Sequence, residues 1–260
     1  MWVNLLYLCK KSPIFSVFLV VIVLLNSCNS SLSDGKVADL SVICAKIEIN
    51  QNLSDRKDNR VTVSLYDDNN NKIDNKNISI RVNGLLLDTV KTTRLYYFTS
   101  NIYTRENVPV GDMYRFEIIL TNQKTYVLGN VKPIAESDEN TISLPEHGDY
   151  DQDFVLSWHN LKEISELSIS KGVVLKTSTK TETNYAYETT VLGKIDAEGS
   201  YRIPKSSYVN SKSTLSGIEM KFTALKFGTM NKQLLSNSEI KISGHLDKYV
   251  DFDEDKLIAR

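Results

Sequence analysis

Runs in which apolar and polar residues alternate one by one recur through this chain from Val37 onward, and they constrain its fold most. Val61-Thr-Val-Ser-Leu-Tyr66 is the plainest. Side chains of a strand point to opposite faces in turn, so period two marks a strand with one buried face. Ile78-Ser-Ile-Arg-Val82 and residues 114–120, 125–128 and 141–144 repeat the pattern. Asp67-Asp-Asn-Asn-Asn-Lys72 reads as a turn, and Asn83-Gly84 as a tight hairpin, because both residues tolerate positive φ. Strands at this spacing, without helical interruptions, indicate a sandwich.

Glu146-His-Gly-Asp-Tyr-Asp-Gln-Asp153 breaks the alternation and reads as a linker. Phe154-Val-Leu-Ser-Trp158 opens a second β region, with strand candidates at 167–169, 173–175, 185–192, 200–203, 218–227 and 239–242. Leu161, Ile164 and Leu167 have the spacing of one or two helical turns, a weaker reading than strand or loop. Pro109-Val-Gly-Asp-Met-Tyr-Arg-Phe116 resembles the turn into a late strand of immunoglobulin-like domains. That resemblance implies that the Tyr114 hydroxyl pins the corner and that Phe116 faces the core. The immunoglobulin cysteine pair is absent, so the likeness is architectural. The expected fold is therefore all-β, with two tandem immunoglobulin-like β-sandwich domains. They span residues 37–145 and 154–260, joined by the linker 146–153, and the second ends in an acidic tail.

The N-terminus carries a different signal. Lys10 and Lys11 precede an apolar run, Ile14 to Leu25, that closes on Leu25-Asn-Ser-Cys28. A basic region, a short apolar stretch and a small-residue processing site make a secretory signal peptide, here residues 1–27. Its ending resembles the lipobox of bacterial lipoproteins. The resemblance implies that Cys28 is the lipid attachment site and that residues 28–36 form a lipidated tether. Two acyl chains hold a protein stably on a bilayer. An uncleaved anchor is the rival, but Ile14 to Leu25 falls short of the roughly 20 apolar residues a spanning helix needs. Ordinary secretion with an incidental Cys28 is the other. Asn29 is not the aspartate often linked to inner-membrane retention. The expected location is the outer membrane, on its periplasmic face or on the cell surface.

Composition narrows the partners. The formal net charge is −1, with basic and acidic residues mixed throughout, so no electrostatic footprint for nucleic acid exists. At 41% hydrophobic, the chain supports a packed core. Of its 3 cysteines, Cys9 leaves with the signal and Cys28 is claimed by lipid. Cys44 is left without an intramolecular partner, and its apolar setting suits a core residue.

The chain carries none of the usual catalytic patterns. His147, His159 and His245 have no zinc-hydrolase spacing, and neither a Gly-x-Ser-x-Gly elbow nor a phosphate-cradling glycine loop occurs. No catalytic, cofactor-binding or metal-binding residue is assigned, and the chain is not expected to be an enzyme. Asp67, Asn69 and Asn71 lack the glycine and glutamate of a calcium loop. Asp149, Asp151 and Asp153 form a better cluster for a hard cation, against which stands a charged, flexible linker. Tyr96-Tyr-Phe98 with Tyr103, and Tyr185 with Tyr187, are candidates for a sugar platform, although core packing is the default for each. The expected role is non-enzymatic binding or scaffolding on a lipid anchor, with a protein or glycan partner. The alternatives are a surface glycan-binding lipoprotein, similar to accessory proteins of bacterial polysaccharide-uptake systems, and an adhesin or fimbria-associated lipoprotein.

Overall fold

The computed structural model describes residues 30–55, 57–94, 98–177 and 184–252. Cys28, the signal segment 1–27, Tyr96, Tyr97 and residues 253–260 lie outside the described residues. Strand accounts for 54% of the structure and helix for 5%, so the fold is all-β as its alternating runs require.

The first half supplies β1 (Cys44–Asn52), β2 (Asn59–Tyr66), β3 (Ser79–Val82), β4 (Leu85–Leu86), β5 (Asp88–Arg94), β6 (Phe98–Glu106), β7 (Tyr114–Ile119), β8 (Thr125–Val131) and β9 (Ile142–Ser143). The second supplies β10 (Phe154–Trp158), β11 (Glu166–Leu175), β12 (Tyr185–Lys194), β13 (Gly199–Ile203), β14 (Ser213–Phe227), β15 (Thr229–Met230) and β16 (Glu239–Asp251). One sheet of eight strands runs β12-β11-β14-β16-β1-β2-β6-β5, half of it from each half of the chain. The seam is the parallel pair β1 and β16, in register from Lys46 and Glu239 to Asn52 and His245. A five-stranded sheet, β15-β8-β7-β3-β4, and a three-stranded sheet, β13-β10-β9, complete the molecule.

Alternation decides which face of the large sheet is covered. Ile47 and Ile49 on β1 pair with Ile240 and Ile242 on β16, and Leu246 pairs with Phe222 on β14. All six are buried and belong to one hydrophobic cluster that spans both halves. Phe116 and Ile118 from the five-stranded sheet, and Leu156 and Trp158 from the three-stranded sheet, join the same cluster. Trp158 packs edge-on against Phe222 at 5.9 Å, and its ring N–H donates to the Asp196 carbonyl. The opposite face of the large sheet carries Lys46, Glu48, Lys241, Asp247 and Tyr249, interleaved with these core positions.

Local chemistry explains the turns. Asn83 and Gly84 both adopt positive φ between β3 and β4, which pair Val82 with Leu85. Asp67 Oδ1 accepts the backbone N–H groups of Asn69 and Asn71 and closes the turn after β2. Tyr114 and Phe116 are fully buried in β7. Leu161 and Ile164 are buried in a connection without regular structure, and Leu167 belongs to β11.

Two segments read from sequence as tether and linker make extensive contacts. Ser30 is 4% exposed, its N–H donates to the Lys72 carbonyl, and a short 3-10 turn follows at Ser31–Ser33. Gly148 bonds through its N–H to the Asp251 carbonyl, so close to Phe252 that an added Cβ would lie 2.3 Å from that ring. Tyr150 donates to the Leu215 carbonyl and packs edge-on against Tyr208 and Phe252.

Candidate functional site: a tyrosine groove on the open sheet face

Residues paired across antiparallel strands share a face, and this builds a patch on the side of the large sheet opposite the hydrophobic cluster. One row runs Tyr187, Gly172, Gly217, Asp251 across β12, β11, β14 and β16. The next runs Thr189, Ser170, Glu219, Tyr249. Tyr185, two residues before Tyr187, lies on the same face. The groove between these side chains has a volume of about 510 Å³, with Ser216 and Asp247 also in its lining. Ligand pockets on proteins commonly start at about 300 Å³.

The glycines make the floor. A Cβ at Gly217 would lie 2.3 Å from the Tyr249 hydroxyl and 2.9 Å from its Cζ, so the Tyr249 ring lies over bare backbone. Gly172 sits 3.7 Å, measured from where its Cβ would be, from the Tyr187 ring. A register shift between Gly172 and Val173 accommodates an extra residue of β14, so that Leu215 and Ile218 both face the core. The rings are largely open to solvent: Tyr185, Tyr187 and Tyr249 are 59%, 78% and 59% exposed. Partial burial raises the Tyr249 phenol above its ordinary value, helped by a hydrogen bond to Asp251 and by Asp251, Tyr187 and Glu219 nearby. Flat aromatic faces beside carboxylates and hydroxyls suit a ligand with C–H faces and many O–H donors.

Other residues singled out in the sequence are placed elsewhere. Tyr103 is 3% exposed, and burial with the nearby Asp74 charge pushes its phenol up to about 12. Cys44 is buried, which raises its thiol against the opposing effect of Lys46. Asp149 accepts from Asp151 N–H and the Gln152 side chain, whereas Asp153 pairs with Arg202 and accepts from Lys205 N–H. The backbone bond from Lys205 and the Arg202 contact hold the Asp153 carboxyl below its usual range. Among the described residues no three His, Cys, Asp or Glu side chains converge as a metal site. Nor, among them, is any helix long and apolar enough to cross a membrane.

Tyr185 and Tyr187 are candidates in the sequence with core packing as their default, and the structure leaves both exposed; Tyr249 is not singled out there. The strand candidate at 239–242 stopped nine residues before the end of β16. Leu246 and Val250 continue its alternation, but Gly244, His245, Asp247 and Lys248 obscure it.

No protein-family model matches the chain, and no curated protein sequence does. Among solved structures it is similar to SGBP-B of the Bacteroides ovatus mixed-linkage glucan utilization locus, determined in complex with a mixed-linkage heptasaccharide. The identity is 15% and the TM-score 0.23, over 84% of this chain and 45% of that one. It is also similar to the Yersinia pseudotuberculosis adhesin InvE, at 13% identity and a TM-score of 0.23, over 84% of this chain and 60% of that one. The chain thus spans less than two thirds of the length of either, and at these scores neither neighbour informs the site.

Proposed function

We propose that this chain is a non-enzymatic, glycan-binding envelope protein, anchored by lipid at Cys28. The observation that supports it is the groove in which Tyr185, Tyr187 and Tyr249 stand exposed over a glycine floor. Sugar rings present C–H faces that pack on aromatic rings, and their hydroxyls donate to carboxylates such as Glu219 and Asp247. Three tyrosines left exposed on one sheet face cost burial energy that a core position would gain, which favours a binding role over scaffolding alone. The test is calorimetric titration with soluble neutral polysaccharides, β-glucans first, then mannans and xylans. Tyr187→Ala and Tyr249→Ala should each weaken the binding about tenfold, equivalent to about 1.4 kcal/mol. Heat from none of the glycans, or unchanged affinity in both variants, overturns the reading.

A further inference from the structure

The first described residues are clamped to the body. Ser30 donates through its N–H to the Lys72 carbonyl at 3.2 Å, and its hydroxyl accepts the Leu32 N–H. Ser33 Oγ accepts the Asp74 N–H at 2.9 Å. Asn75, 2% exposed, donates through Nδ2 to the carbonyls of Leu32 and Gly35, both at 2.9 Å. Only Asn29 lies between Ser30 and Cys28. At roughly 3.3–3.6 Å per residue, the Cα of Cys28 cannot be more than about 7 Å from that of Ser30.

The clamp and the groove sit at opposite ends of the large sheet. Tyr66, just before the clamped turn, pairs with Cys44, next to the Lys46–Glu239 end of the seam. Tyr249 lies ten residues further along β16, which at strand spacing is about 33 Å.

We infer that residues 30–35 hold the body upright against the lipid headgroups, with the tyrosine groove at the membrane-distal end. This rests on the anchoring of Cys28 by lipid. A long flexible leash would let the body tumble and turn the groove towards the bilayer. A two-residue span ending in a buried serine leaves the face around Lys72 and the exposed Lys76 against the headgroups.

The test uses the protein extracted from its own membranes and reconstituted in vesicles of phosphatidylethanolamine and phosphatidylglycerol that contain a headgroup-labelled acceptor lipid. Lys76→Cys, beside the clamp, and Glu188→Cys, beside the groove, each receive a fluorescent donor; both positions are exposed. Energy transfer should be several-fold stronger from position 76 than from 188. Ten Gly/Ser residues inserted between Asn29 and Ser30 should abolish most of that difference. Equal transfer from the two positions in the unextended chain, or a difference that the insertion leaves intact, overturns the upright orientation. The mass of the N-terminal peptide is read on the same samples. A peptide without acyl mass overturns the anchor itself, an outcome separate from equal transfer in a lipidated chain.

Discussion

Gln51 is fully buried near the seam between the halves, where its Nε2 donates to the Ile134 carbonyl at 2.9 Å and its Oε1 accepts the Ile134 N–H at 3.2 Å. Gln51→Ala would strand both backbone groups in the core, at about 1–3 kcal/mol for each unmet group. Chemical denaturation should show a loss of about 2–6 kcal/mol, and a loss under about 0.5 kcal/mol would mean that water replaces the amide. Tyr103 makes stability depend on pH. Its phenol rises from 10.0 to about 12 on folding, so the folded state favours the protonated form. The stability this contributes is fully present below pH 10 and is lost as the pH climbs through about 12. Unfolding free energy should therefore fall across that interval, and Tyr103→Phe should flatten the fall. An identical alkaline slope in the variant would assign it to other groups.

β16 joins the two halves of the large sheet, because it pairs with β1 on one side and β14 on the other. Leu246 is 1% exposed opposite Phe222, at the centre of this ladder. Leu246→Ala should cost about 2–5 kcal/mol through lost burial and the remaining cavity. It should lower the denaturation midpoint without changing the slope, and a changed slope would point to altered compactness instead. The bulge on β14 connects the ladder to the groove. Gly217→Ala must displace the Tyr249 hydroxyl, whereas a Cβ at Gly172 meets nothing closer than 3.2 Å. Glycan affinity should thus drop at least fivefold in Gly217→Ala and change little in Gly172→Ala. Equal effects in the two would separate the ring's position from the binding.

For the whole molecule, the consequence is cooperativity. One hydrophobic cluster and one eight-stranded sheet pass through both halves, and β15 from the second half pairs with β8 from the first. Neither half can separate without exposing the β1–β16 seam. A calorimetric scan should show a single transition with equal calorimetric and van't Hoff enthalpies, and two resolved transitions would show that the halves unfold separately. The all-β character was legible in the sequence because side-chain alternation is a local property that one buried face imposes on every strand. The Asn83-Gly84 hairpin and the burial of Cys44 and Trp158 were legible for the same reason: nearest neighbours carry the information. The seam was not, since a parallel pair between strands almost two hundred residues apart leaves no local signature. The groove was legible only in part. Tyr185 and Tyr187 stood out in sequence, but only pairing across β11, β14 and β16 brings Gly172, Gly217 and Tyr249 to them. The period of the chain determined which residues share a strand face; tertiary pairing alone decided which of those faces meet in the core and which carries the exposed tyrosines.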